Sequence, residues 1–556
     1  MIHSYSFRNY KAFEKGEIVL KPITILIGAN SVGKTSILEL LLLMQQTALE
    51  ATSKYRSALK PHGRYVSAGH PSALFLNGQT RRQLGLEFGF DSRELGQLLS
   101  KQLLAQLAEG LRDAIRELYG RSGGKREFPE DLMVLHGRLA EMGRGEPGEE
   151  LREEFLNQAI ERISEEAALL PSQEEEAPGR LRLRLHPDST WWGDGAELGT
   201  DILSGIDSTD FRRLTDFING ASRLKGSRFV LGFGIGFSTV TGLLYLRRLT
   251  LRCGEATILE LLLTDRGKAI RSIRSDLTSM SLDRLAGSVS RYLNPQGSVF
   301  HIFNSERRGK SLFASLIRQI LNRAISDLAA DVGPGRIQHV SPIRAYPKRF
   351  YFLDVAGGGS AQGETLVETL REDLELRSRV NSWLKRFHIS VDVAQIETLI
   401  YRLAVKQEGL KLDLDITDVG FGVSQVLPVF VEVLQSQEDS ITLVEQPEIH
   451  LHPKMQAELA DFFIEVSGDR ASTGKGKRVF VIETHSEYFL NRIRRRLSAK
   501  EIAPADVAIY YVHPSESQSG TKLEEIEVPT NGDFQWPREF YVTDLEDTIE
   551  FLSHQE

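Results

Sequence analysis

The 556-residue sequence predicts an α/β fold: a β-rich N-terminal lobe and a mainly parallel α/β lobe, interrupted by helical insertions. Three observations predict it. The apolar run Ile23-Thr24-Ile25-Leu26-Ile27 enters a glycine-rich loop that opens a helical pattern, a strand–loop–helix unit. Near the C-terminus the short apolar runs Ile441–Val444, Val479–Ile482 and Val507–Val512 alternate with helical stretches, the pattern of a mainly parallel sheet. Between these regions apolar residues recur at three- and four-residue spacing, as at Leu98-Leu99, Leu103-Leu104, Leu107, Leu111, Ile115 and Leu118.

Taken in order, residues 4–20 read as two strands around a turn at Asn9-Tyr10-Lys11, leading into the strand 23–27 and the helix that follows it. Residues 83–90 alternate as a strand, and helical spacing covers roughly 92–163. The loops Gly123-Gly124-Lys125 and Glu174-Glu175-Glu176 interrupt it, and β-like material resumes at 181–185 and at 228–263. Further helical blocks are expected at 308–330 and 364–387, and strands at 389–393 and 401–416. The expected organisation is a first lobe at 1–91, a helical insertion at 92–225, a return to the β-rich lobe at 226–304, a helical arm at 305–390 and a second lobe at 391–556.

Hydrophobic residues at 41% and charged residues at 26% are ordinary for a soluble globular protein. A net charge of -8 gives no global basic field, so nucleic-acid contact requires a local patch. The single cysteine, Cys253, permits neither an internal disulfide nor a thiolate metal site, in keeping with a cytoplasmic location. Met1-Ile2-His3-Ser4-Tyr5 does not read as a signal peptide. Residues 229–246 are uncharged and imitate a membrane span, but the glycines of GFGIGF suggest two buried strands with a turn there, and no membrane partner is expected.

The chemistry concentrates at Gly28-Ala29-Asn30-Ser31-Val32-Gly33-Lys34-Thr35. Glycines let backbone N–H groups curl around a phosphate, and the helix N-terminus adds partial positive charge. Asn30, Ser31, Val32, Gly33, Lys34, Thr35 and Ser36 are therefore the candidate residues for binding a nucleoside triphosphate, with the Lys34 ammonium for the terminal phosphates and the Thr35 hydroxyl for Mg²⁺. Glu445, at the end of the apolar run 441–444, is the matching metal carboxylate. Beyond it lie Gln446, Glu448 and, after another apolar run, Glu483 and His485. Gly420-Phe421-Gly422-Val423-Ser424-Gln425 is a small-residue loop opening a helix.

Here the chain resembles the ABC-type ATPases, in the branch of the SMC, RecF and OLD proteins. GANSVGKT resembles Walker A, GFGVSQ the signature loop, ITLVEQPE Walker B and ETHSE the switch-histidine loop. HVSPIRAYPKRFYF, EQPEIHLHP and NGDFQWPREF add a resemblance to the PtuA-like ATPase subunits of Septu-type anti-phage defence, some of them retron-associated. The resemblance implies an ABC-type P-loop head that forms a head-to-tail dimer, or a higher oligomer, around ATP and Mg²⁺. In it Gly422, Ser424 and Gln425 would act in trans on the partner's nucleotide. It also implies a cytoplasmic bacterial protein working with an HNH-type nuclease subunit. The family places a catalytic glutamate where this sequence has Gln446. An amide cannot take the proton. Slow hydrolysis is expected, with Gln446, His485 and Glu448 sharing the catalytic work.

Other motifs carry weaker expectations. His450-Leu451-His452 reads as a structural or dimer-contact loop rather than a metal site. Arg492, Arg494, Arg495 and Arg496 form either a solvated face or a phosphate-contacting nucleic-acid patch. Arg344 would face a phosphate, a partner or a surface acid, and Gly357-Gly358-Gly359-Ser360 reads as a hinge or a disordered loop. Trp536-Pro537 and Phe540 would either dock the C-terminal segment on the second lobe or form a partner site. The long inserted stretch between Lys34 and Gly422 argues against a compact transporter subunit, and no acidic nuclease cluster follows His485. A regulator of a partner nuclease is the leading reading, and a stand-alone DNA repair or maintenance ATPase of the RecF or OLD kind is the alternative.

Overall fold

The computed structural model describes residues 1–52, 55–105, 129–143, 208–224, 226–264, 267–294, 297–304, 312–352, 362–468, 477–515, 520–537 and 550–554, with scattered positions at 107–116 and 155–165. The expected loops at 123–125 and 174–176, the β-like run 181–185, the glycine run 357–360 and Phe540 lie outside these. The strands are β1 (Ile2–Tyr10), β2 (Phe13–Val19), β3 (Ile23–Gly28), β4 (Leu84–Asp91), β5 (Arg228–Phe237), β6 (Leu244–Cys253), β7 (Ala256–Leu263) and β8 (Ile270–Arg274). They continue as β9 (Ile337–Val340), β10 (Tyr351–Phe352), β11 (Ile389–Glu397), β12 (Ile400–Gln407), β13 (Leu414–Asp415), β14 (Ser440–Glu445), β15 (Arg478–Glu483), β16 (Val507–Pro514) and β17 (Thr521–Ile526). The longer helices are α1 (Lys34–Glu50), α2 (Glu130–Gly143), α3 (Ser208–Ser222), α4 (Leu312–Asp331), α5 (Gln362–Glu372), α6 (Leu374–Leu384), α7 (Phe421–Gln435), α8 (Pro453–Gly468) and α9 (Glu487–Ser498).

The chain divides into two compact units, each discontinuous in sequence: 1–7 with 46–74 and 79–330, and 8–45 with 75–78 and 331–556. In the first, β4 to β8 form an antiparallel meander. The uncharged run 229–246 supplies two strands, as its composition suggested, but the turn lies elsewhere. GFGIGF is the interior of β5, and the chain reverses at 238–243, where Ser238 and Gly242 make the turn bonds. Leu231, Phe233 and Ile235 are buried on one face. On the other, a Cβ at Gly232 would stand 2.3 Å from the Thr250 hydroxyl and one at Gly234 2.9 Å from Arg248 Cβ. The run lacks charge because one face is core and the other makes room for the longer side chains of β6.

In the second unit the order β2-β17-β16-β3-β15-β14-β9 is parallel from β16 through β9. Both faces of these strands are covered, which is why their sequences are continuous apolar runs rather than alternating ones. Every residue of β3 and of β14 is buried. Ile25, Ile27, Val444, Phe480 and Ile482 pack with Phe430, Phe462 and Phe463 of the covering helices. Helix α1 is apolar on all sides through Leu40, Leu41, Leu42, Leu43 and Met44, as a helix enclosed by protein must be. A separate small sheet, β10-β12-β11 with β13, stands before α7. The expected strand 401–416 is thus shorter: it ends at Gln407 and resumes only at Leu414–Asp415. Block 364–387 divides into α5 and α6 where Asp373 caps the second helix by accepting from Leu376 N–H.

Among the described residues no helix is long and apolar enough to cross a membrane.

Candidate functional site

Parallel strands place their carboxyl ends along one edge, where open α/β sheets bind ligands. Glu445 of β14 is in register with Glu483 of β15, and Glu483 with Leu26 of β3. The loop after β3 therefore opens beside both carboxylates. Gly28 has φ +144, and a Cβ there would lie 2.0 Å from the carbonyl oxygen of Val512, so only glycine fits. Ser31 at φ 63 and Gly33 at φ +104 continue the left-handed backbone that turns amide groups inward. Ala29, Asn30 and Ser31 are exposed at the mouth, while Lys34 is 3% exposed.

Lys34 Nζ donates to the carbonyl oxygens of Ala29 at 2.7 Å and Gly28 at 3.1 Å, and stands 3.8 Å from Glu483. Burial holds its pKa below the ordinary lysine value, although Glu483 and Glu448 oppose this. The Thr35 hydroxyl donates to Glu483 Oε2 at 3.0 Å. The acid facing Thr35 is thus Glu483. Glu445, the expected metal carboxylate, is buried and lies 2.6 Å from His339 Nε2. Burial raises the pKa of Glu483, and the negative charges of Glu445 and Glu448 add to the rise.

Gln446 adopts a left-handed backbone, φ 43, and its N–H donates to the Glu483 carbonyl at 2.8 Å. The turn it begins brings Glu448 back under the switch loop, where Glu448 Oε1 accepts from His485 N–H at 2.7 Å. Burial raises the Glu448 pKa. Burial and the Lys34 charge lower that of His485 to about 4, so its ring is neutral near pH 7. Glu448 Oε2, His485 Nε2 and Gln425 Nε2 are buried without a hydrogen-bond partner. Gln425 Nε2 can donate to a ligand oxygen, whereas Glu448 Oε2 can accept only from a donor such as water. Thr35, Glu445 and Glu483 supply few hard oxygen donors. That set fits Mg²⁺, which retains waters and shares phosphate oxygens, better than a cation needing a full protein cage.

At the start of α7, Gly422 lies near the surface and packs closely: a Cβ there would be 2.8 Å from the His450 carbonyl. Ser424 and Gln425 are buried, so the structure does not bring all three signature candidates to one exposed face. His450, at φ 62, and His452 are exposed loop residues. Among the described residues no cluster of His, Cys, Asp or Glu could hold a metal by itself. Of the arginines on α9, Arg492 and Arg496 both pair with Asp461, and Arg494 pairs with Asp533 at 2.7 Å beside the rings of Phe534 and Trp536. Arg495 is exposed. Trp536 packs against the core of this unit, and Phe534 is buried.

Sequence reasoning missed His339, which reaches Glu445, and singled out Arg344 for a phosphate, a partner or a surface acid, whereas it is buried with its guanidinium on main-chain carbonyls. Both lie in the stretch 339–344, whose only signal was its place in a family-like string.

The profile of the AAA ATPase domain family matches residues 1–91 and 298–490, more than half of the chain. Comparison with curated proteins gave no match. Among solved structures, the chain is similar to the SMC head domain from Thermotoga maritima, with 7% identity, TM-score 0.34, and coverage of 95% of this chain and 99% of that one. It is also similar to the Smc head domain with an extended coiled coil bound to the C-terminal domain of ScpA, from Pyrococcus furiosus, with 9% identity, TM-score 0.33, and coverage of 100% and 98%.

Proposed function

The chain belongs to the AAA ATPase domain family, and from that premise we propose that it binds ATP with Mg²⁺ on the loop after β3, hydrolyses it slowly, and self-associates around the nucleotide to regulate a partner nuclease. The observation that carries the nucleotide site is Lys34: a buried ammonium held by its own loop's carbonyls at the exposed mouth of a left-handed, glycine-built turn. Phosphate oxygens would replace those carbonyls as its acceptors. Backbone N–H groups of residues 30–36 would hold the remaining phosphate charge. A bound Mg²⁺, held by Thr35 with Glu445 and Glu483, would neutralise charge on the terminal phosphates.

Hydrolysis then depends on groups that orient water and accept its proton. Gln446 orients water through its amide, and Glu448, whose pKa burial raises, accepts the proton. Neutral His485 offers its unpartnered Nε2 as a hydrogen-bonding atom. In a dimer, the surface-lying Gly422 backbone at the start of α7 would meet the partner's nucleotide, with buried Ser424 and Gln425 supporting it from behind. The regulatory role and the HNH-type nuclease subunit rest on the resemblance of HVSPIRAYPKRFYF, EQPEIHLHP and NGDFQWPREF to defence ATPases. Of the candidate nucleic-acid patch, the exposure of Arg495 supports a phosphate contact there.

Titration with a fluorescent ATP analogue tests the site. Lys34→Ala is expected to weaken binding at least hundredfold, about 2.8 kcal/mol, with unchanged circular dichroism. A variant that binds like the parent overturns the assignment.

A further inference from the structure

Arg344 is 7% exposed, and its guanidinium is directed at main-chain oxygens. One terminal nitrogen donates to the carbonyl of Gln425 at 3.2 Å, within the second turn of α7. The other donates to the carbonyls of Glu445 at 3.1 Å and Gln446 at 3.3 Å, the end of β14 and the left-handed residue after it. A planar fork with fixed donor directions can bridge two separate backbone segments in this way, and a single ammonium cannot. Burying the cation is costly, and the carboxylates of Glu445 and Glu448 offset part of the cost.

Both bridged segments carry groups of the site. Gln446 N–H holds the Glu483 carbonyl, and the Glu483 side chain meets Thr35 and Lys34. On the other side Gly422 abuts the His450 carbonyl, a second contact between α7 and the loop that follows Gln446. Pro428 has no N–H for the carbonyl four residues earlier, so the turns holding Gln425 depend more on contacts from outside the helix.

We propose that Arg344 is a positioning residue that ties the first turns of α7 to the Glu445–Glu448 turn, so that the two move as one piece and nucleotide at Lys34 and Thr35 sets the posture of α7. This rests on the ATPase reading above.

The test compares Arg344→Lys with the parent chain in ATP affinity, KM and kcat, alone and combined with Gly422→Ala. Arg344→Lys keeps the charge and loses the bridge. The expected result is a fall in kcat of at least about tenfold, with KM and ATP affinity within about threefold of the parent. Gly422→Ala should then cost less in the double variant than it does alone, because both changes loosen the same link. An unchanged kcat, an affinity that falls in step with kcat, or losses that multiply would each overturn the proposal. If Arg344→Lys does not fold, the parent decides by amide hydrogen exchange. ATP should protect 421–426 and 445–448 together, and protection of one segment alone overturns the link. A parent chain that binds no ATP overturns the functional reading and this inference with it.

Discussion

In the proposed reaction Gln446 stands at the position that would govern the rate of hydrolysis. Its left-handed backbone is held from both sides, by Glu483 on its N–H and Arg344 on its carbonyl. A glutamine can share a hydrogen bond with water but cannot accept the water's proton. Glutamate at this position would restore a base without enlarging the side chain. Gln446→Glu is therefore expected to raise kcat about tenfold, equivalent to about 1.4 kcal/mol of barrier, measured by phosphate release at saturating ATP. A rate equal to the parent's would assign proton acceptance to Glu448 alone. The glutamine was legible in the sequence because the motif around it is contiguous. The Thr35–Glu483 bond and the His339–Glu445 pair were not, since each joins residues far apart in the chain through strand register.

Elements carry these residues through their cores. Helices α6, α7 and α8 meet at Phe462, where its ring lies 4.6 Å from that of Phe430 and 5.0 Å from that of Trp383, edge to face with the latter. The Phe462 side chain is fully buried. Phe462→Ala would leave a cavity at this junction and is expected to cost about 3–5 kcal/mol, read as a lowered denaturation midpoint. A loss under about 1 kcal/mol would show that the three helices are seated elsewhere. The parallel strands were readable from sequence because burial on both faces leaves only apolar residues. The glycines of β5 misled for the opposite reason. A glycine in a turn and a glycine that accommodates a neighbouring strand's side chain are the same letter, and only the cross-strand register of Gly232 with Thr250 separates them.

At the scale of the whole molecule, the nucleotide loop, the two strand-end carboxylates, the turn after Gln446 and α7 all belong to the second compact unit, although its segments are far apart in sequence. That unit therefore holds the candidate site components of one chain, and in the proposed dimer a head-to-tail partner would supply only the contact in trans. Native mass spectrometry of the tagged chain purified from its host with ATP is expected to show two copies or a multiple of two, together with a stoichiometric HNH-type subunit. Single copies at saturating ATP would overturn the sandwich. Pairs lacking the subunit would overturn the nuclease partnership and leave the self-association standing.

The sequence alone determined the features that depend on near neighbours. These are the phosphate loop, whose glycines, lysine and threonine act within one turn, the doubly buried strands, and the substitution of glutamine after Glu445. Tertiary structure decided which distant groups meet. It placed Glu483 rather than Glu445 on Thr35, turned Ser424 and Gln425 inward, paired most of the α9 arginines with acids, and set Arg344 beneath the turn that follows Glu445. The physical reason is range. Propensity and phosphate cradling act over a few residues, whereas ion pairing and burial depend on the register of strands that the sequence separates by hundreds of positions.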